Sequence, residues 1–191
     1  MGQPQIHPTA WIDEGAVVGD NTKIWHFCHV CATAHIGKDC SLGQNVFVAD
    51  HVKVGDGSRI QNNVALYEGV ELQDHVFCGP GVVFTNVLRP RVEYPAKGEY
   101  GKTVVESGAS LGAGTVLLSG IRVGKGAMTA AGSIITRNVP DYALMVGAPA
   151  KIRGYVCACG EKLPESLFCS RCGRRFRLTA KGLQEKKEEN P

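Results

Sequence analysis

Three polar residues stand eighteen apart, Asp50, Glu68 and Asn86, and four cysteines form two close pairs, Cys157 with Cys159 and Cys169 with Cys172. A carboxylate can take up a proton or bind a cation, whereas an amide can donate and accept hydrogen bonds but cannot act as a base. The cysteine pairs are each followed by glycine, in "CACG" and "CSRCG", a pattern that suits a tetrahedral thiolate zinc site. The first pair has one intervening residue where two are usual, so reduced thiols and disulfides stay open as alternatives. Directly after Asn86 comes a stretch with two prolines that supplies Arg89, Arg91, Glu93, Lys97, Glu99 and Lys102.

The elements that position these residues follow from a period of six. From Ile6 every sixth residue is apolar as far as Cys78; the series resumes at Val105 and ends at Ile135, with only Thr129 polar among nineteen positions. The fifth residue of each hexad is small or β-branched, and the fourth is glycine nine times and asparagine four times. Such a period fits neither a helix nor a simple alternating strand. It predicts short strands joined by tight corners, with first and fifth residues inward and a residue tolerant of positive φ at the fourth. Three hexads make a triangular turn of eighteen residues, and the turns stack as a parallel β-helix. On that scaffold Asp50, Glu68 and Asn86 share one corner, one rung apart at roughly 4.8 Å. The interruption, residues 85–104, becomes a charged loop rising above Asn86, a usual setting for binding residues.

Composition sets the outer limits. The 191 residues are 43% hydrophobic and 20% charged, with 24 glycines and few aromatics, as a turn-rich globular chain requires. The apolar runs are too short for a membrane span and "MGQPQIHP" has no signal-peptide pattern, so a cytoplasmic protein without a membrane partner is expected. From Lys151 onward ten Lys/Arg face five Asp/Glu, while the preceding residues carry eleven against thirteen. This divides the chain into a β-helix, residues 1–150, and a basic, cysteine-bearing extension, residues 151–191.

The hexads resemble those of the hexapeptide-repeat acyltransferases, which form left-handed parallel β-helices and work as homotrimers with active sites between subunits. Within that group, "NNVALYEGVELQDHVFCGPGVVFTNVLRPR" from Asn62 to Arg91, with "CACGEKLP" in the extension, resembles the bacterial sugar-nucleotide N-acetyltransferases. The resemblance implies transfer of acetyl from acetyl-CoA to the 3-amino group of a UDP-linked amino-hexuronate, in the synthesis of lipopolysaccharide or O-antigen sugars. It places Asn86, the asparagine of "FTN", at the reacting centre. That amide could orient the sugar amine or donate to the oxyanion. The proton could go to Glu68 or to the departing thiolate. Asp50, Arg89 and Arg91 would hold the acceptor, the arginines by paired contacts to a carboxylate. His26, at another corner, is a weaker candidate for acceptor contact.

"LGAGTV", "TAAGSI" and the following "NVPDYALMVGAPAKIRG" resemble the coenzyme end of these enzymes. Ala113, Gly114, Ala131 and Gly132 would then admit the pantetheine arm to the backbone, and Lys151 and Arg153 would meet coenzyme phosphates. His51 and His75 fall at the fourth hexad position, where a backbone role suffices; His29 and His35 face outward, where a subunit interface is possible. An acetyltransferase for another nucleotide-linked amino sugar is an alternative. So is a β-helix scaffold whose zinc ribbon binds nucleic acid, although the mixed charge of the tail argues against a nucleic-acid partner.

Overall fold

A computed structural model describes residues 2–95 and 98–186. Strands of two or three residues recur at six-residue intervals, and each pairs in parallel with the strand one turn on. Gln5↔Lys23, Trp11↔His29 and Val17↔His35 open the three faces of the triangle. The first face stacks eight parallel strands from Gln5–Ile6 to Ala143–Gly147. The second stacks seven, ending at Ile134–Ile135, and the third six, ending at Arg122–Val123.

First and fifth hexad residues point inward as the period requires. Ile24, Leu42, Ile60, Leu66, Leu111 and Ile135 are buried, with Cys28, Ala34, Val46, Val64 and Ala109 beside them. A fully buried aliphatic side chain contributes roughly 1.5–3 kcal/mol, so stability accumulates rung by rung. The N-terminal turn departs from the pattern. Ile6, on the first described rung, is 41% exposed.

Sixteen of the nineteen fourth positions have positive φ, among them Asn21, His51, His75 and, against expectation, Phe27 at φ 56°. Thr9 and Thr33 solve the corner differently. Their hydroxyls accept the backbone N–H of Phe27 at 3.1 Å and of His51 at 2.9 Å, one turn on. Elsewhere a third-position side chain joins successive turns. Asp56 Oδ1 accepts from Lys38 N, Asn62 Oδ1 from Gln44 N, and Asp74 Oδ1 from Asp56 N, at 2.9–3.0 Å.

The inward series runs one hexad past Cys78, and it misplaces one residue near its end. Phe84 is a further inward position, buried at the end of the strand Val83–Phe84. After Ile135 the register slips by two, because Val139 bridges to Val123 sixteen residues back. Val139 therefore begins a third-face rung and does not fill the fifth position of the last hexad. Across the interruption Val70 pairs with Thr103 and Leu72 with Val105, thirty-three residues apart in place of eighteen.

The last first-face strand, Ala143–Gly147, turns back on itself as an antiparallel hairpin with Ala150–Tyr155. The extension then builds a small core of Cys157, Leu163, Cys169, Phe176 and Leu183, to which the helix contributes Tyr142. Asp141 N donates to Lys181 O at 2.8 Å, Leu183 N to Asp141 O at 3.0 Å and Val156 N to Tyr142 O at 2.8 Å. Gly182, at φ 120°, lies against the Asp141 backbone where any side chain would collide. Arg122 donates to Glu106 from Nε and Nη2, and Nη2 also reaches Asp141 at 2.6 Å, tying the third face to this junction.

Candidate functional site

The corner between the second and third faces carries Asp50, Glu68 and Asn86 on successive rungs. Asp50 is committed to Thr33, whose hydroxyl donates to it at 2.8 Å and whose N–H donates at 3.1 Å. These contacts, the hydroxyl first, hold its carboxyl below the usual carboxylate range. Asp50 is therefore a standing charge and a poor base. Glu68 is half-buried. Asn86 Nδ2 makes one long contact, 3.5 Å to Glu68 O, so its amide is lightly held. Its backbone is firmly held, because the carbonyl accepts from Ser119 Oγ at 3.0 Å and Gly101 N at 3.2 Å. Gly101 is where the inserted loop returns. The loop thus leaves and rejoins the scaffold at Asn86.

Under that return lies a cleft of about 420 Å³ lined by His51, Lys53, Glu68, Glu71, Tyr100 and Lys102. Lys102 Nζ pairs with Glu71 at 3.1 Å across it. Lys53, Glu71 and Tyr100 were not singled out from the sequence. The signal was available in the register, since Lys53 and Glu71 stack on adjacent third-face strands beside Glu68. Arg89 and Arg91 stand on the exposed outer part of the loop, where Arg91 Nη1 donates to its neighbour Pro90 O at 2.9 Å. Lys97, another of the loop charges read from the sequence, lies outside the described residues.

Ala113, Gly114, Ala131 and Gly132 are found at a different corner, between the first and second faces, all exposed. A side chain at Gly81, Gly114 or Gly132 would meet nothing within 4 Å, so this corner is a smooth open track. The amides of Gly114 and Gly132 are already used, by Pro80 O at 2.9 Å and Ala113 O at 2.8 Å. Ala131, by contrast, offers no side-chain oxygen to the Ala113 N–H, where other turns supply Asn62 or Asp74. Lys151 and Arg153 are exposed on the returning hairpin strand. His26 shares this corner but lies three rungs, roughly 14 Å, below the level of Asn86. It stacks on His7 with ring centroids 3.6 Å apart. Within one chain, the structure does not bring His26 to the Asn86 corner.

Both corners border the second face, whose outward row reads Trp11, His29, Phe47, Ala65, Val83, Val116, Ile134. That row has no Lys, Arg, Asp or Glu, whereas the first-face row holds Lys23 and Arg59, and the third-face row Lys53, Glu71 and Arg122. Trp11 is 69% and Val83 46% exposed. His29 Nε2 meets Asp13 at 3.2 Å, and Trp11 Nε1 donates to the same carboxylate at 2.7 Å.

In the extension the four cysteine sulfurs lie within 4.8 Å of one another, Cys157 and Cys172 at 3.4 Å, Cys159 and Cys169 at 3.6 Å. All four are free of disulfides. Backbone contact at Arg174 holds the Cys172 thiol down to about 6, and burial pushes Cys157 up. Four sulfurs at these separations suit a tetrahedral thiolate-loving ion, in which Zn–S bonds near 2.3 Å set sulfurs roughly 3.8 Å apart.

The architecture and the open corner track define a hexapeptide-repeat transferase. Residues 15–50 match the family described as bacterial transferase hexapeptide (six repeats), and residues 34–68 and 102–137 match the hexapeptide repeat of succinyl-transferase. A dTDP-3-amino-3,6-dideoxy-alpha-D-galactopyranose 3-N-acetyltransferase of Aneurinibacillus thermoaerophilus is 41% identical over 174 residues, 90% of this chain and 90% of that one. The chain belongs to the hexapeptide-repeat transferase family. A hexapeptide-repeat acetyltransferase of Vibrio cholerae O1 biovar eltor, solved with acetyl coenzyme A, aligns with a TM-score of 0.50 at 25% identity. The alignment covers 61% of this chain and 70% of that one. A hexapeptide transferase family protein of Anaplasma phagocytophilum aligns at 0.52 over 81% and 80% of the two chains, with 21% identity, a likeness of fold. Among the described residues no helix is long and apolar enough to cross a membrane.

Proposed function

We propose that this chain is an N-acetyltransferase that moves acetyl from acetyl-CoA to the 3-amino group of a nucleotide-linked amino sugar, at a site shared between subunits. The observation that carries the reading is the position of the two half-sites on opposite edges of the one apolar face. The small-residue track borders one edge and the Asp50–Glu68–Asn86 corner borders the other. A second copy seated on the second face would set the track of one subunit beside the polar corner of the next. A closed cyclic trimer satisfies this geometry for every copy.

At that junction the neutral amine attacks the thioester carbonyl carbon. The C–N bond forms, the C–S bond breaks and coenzyme A leaves as thiolate. The Asn86 amide, lightly held in the free chain, orients the amine or donates to the oxyanion. Asp50, kept charged by Thr33, serves the acceptor's donors and not the proton. The excess proton passes to Glu68 or to the thiolate itself. Ala113 N–H, with no side-chain oxygen from Ala131, suits a pantetheine carbonyl, and Lys151 and Arg153 suit the phosphates. The cytoplasmic setting and the lack of a nucleic-acid role go with this reading.

Two acceptors compete. The Aneurinibacillus relative acts on a dTDP-linked deoxy sugar without a carboxylate, whereas Arg89 and Arg91, with no acid partner among the described residues, favour a UDP-linked hexuronate. Assays over UDP- and dTDP-linked 3-amino sugars separate them. With a hexuronate, Arg91→Ala should raise the acceptor KM and spare that of acetyl-CoA; an unchanged KM removes the uronate acceptor. Asn86→Ala should lower kcat about 10²–10³-fold, the scale of losing one oxyanion donor. Full turnover would show that this corner is not the reacting centre. Glu68→Gln discriminates the proton routes: loss of kcat and of the acidic limb of its pH profile identifies a base, and near-normal turnover favours the thiolate.

A further inference from the structure

We infer that Cys157, Cys159, Cys169 and Cys172 hold one zinc ion whose task is structural, locking the extension onto the last turn of the β-helix. This does not rest on the acetyltransferase reading.

The donor set is complete within the chain, and each pair of sulfurs arrives on a turn shaped for it. Gly160 N donates to Cys157 O and Gly173 N to Cys169 O, both at 2.8 Å. Both glycines take positive φ, 88° and 77°, which closes each turn tightly behind its second cysteine. The single residue between Cys157 and Cys159 therefore does not prevent the four sulfurs from meeting. The close contacts run between the two pairs, Cys157 to Cys172 and Cys159 to Cys169. An ion at their centre would cross-link segments ten to fifteen residues apart. Four thiolates around a divalent cation leave two negative charges, and Arg174 Nη1 lies 3.3 Å from Cys172 Sγ to offset them. Arg174 is itself held by Glu185 at 3.1 Å, on the second strand of the terminal hairpin.

Two further features point to a stapling role. The core of the extension is six side chains, two of them these cysteines, and so small a core ordinarily needs a metal or disulfide. The cluster also stands at the junction, because Cys157 follows Val156, which pairs with Tyr142 of the helix, while Cys169 lies close to Phe176, whose ring packs on Tyr142 with centroids 5.1 Å apart.

The test uses the full chain, purified reduced. Elemental analysis should find about one zinc per chain, and cobalt(II) exchanged into the site should give thiolate charge-transfer bands and the visible bands of a tetrahedral ion. A chain with Cys169→Ser and Cys172→Ser should lose both signals. In that variant, or in unaltered protein stripped with a chelator, amide protection at Gly173, Phe176 and Leu183 should fall at least about tenfold. Protection at Ile60 and Leu66 should hold. Stripped, reduced protein that keeps its tail protection would overturn the structural role. A mass lower by two hydrogens per disulfide in the protein as isolated would overturn the metal site altogether.

Discussion

The two ends of the β-helix are finished in opposite ways. At the N-terminal end Ile6 is 41% exposed, and Ile12 and Val18 are only partly covered, although they occupy inward positions. At the C-terminal end Ile135 is fully buried, Met145 and Ala150 are 2% exposed, and a hairpin and the cysteine-bearing extension lie beyond them. The same residue type at the same hexad position thus has two environments. A repeat buries its side chains only where a rung stands on each side, so the last rung needs a cap of different construction.

Breaking the cap should have the largest effect. Phe176→Ala truncates the largest side chain that the extension itself contributes to this core and should cost about 3–5 kcal/mol, enough to release the extension. Loss of amide protection confined to residues beyond Tyr142 is the expected sign; loss spreading to Leu66 would mean that the helix depends on its cap. Ile135→Ala and Ile6→Ala form a matched pair across the two ends. The first should cost about 2–5 kcal/mol and the second under about 1 kcal/mol in denaturant unfolding. Equal costs would show that another copy or segment covers Ile6.

A smaller effect is expected at the corner of the N-terminal half. Phe27→Gly relieves a bulky residue of positive φ and should stabilise by about 1 kcal/mol, read as a raised unfolding midpoint; destabilisation would show that the Phe27 ring against His26 outweighs the backbone. The finest test is electrostatic. Because Thr33 depresses the Asp50 pKa, the stability from this contact is present above the unfolded carboxyl value and is lost as pH falls through the lower folded value. Thr33→Val should move the Asp50 titration upward, followed by carboxyl NMR, and an unmoved titration would place the cause elsewhere.

The fold was legible because packing repeats: Ile24 and Leu111 face the same axis for the same reason, and the period announces it. What the period could not show are places where one contact overrides it. Phe27 adopts a glycine-like backbone because Thr9 accepts its N–H. Val139 moves to a new rung because the turn after Ile135 is two residues short. The polar corner was readable as a spacing of eighteen, and the cysteine cluster as two knuckles. The cleft under Lys102 was not, because it needs the returning loop, and a loop's path is set by contacts such as Gly101 to Asn86 that leave no periodic mark. The separation of His26 from Asn86 follows from counting faces as well as rungs.

The antiparallel return of Ala150–Tyr155 has one more consequence. A stack of parallel rungs ends in unpaired N–H and C=O groups that invite the same rungs from another molecule, and a head-to-tail contact of that kind does not close. Here the first-face strand that would receive the Gln5–Ile6 edge of another copy is already paired, in the opposite direction, with its own continuation. On this face the antiparallel return therefore removes the parallel edge that head-to-tail stacking would use, leaving Ile134–Ile135 as the last strand of the second face.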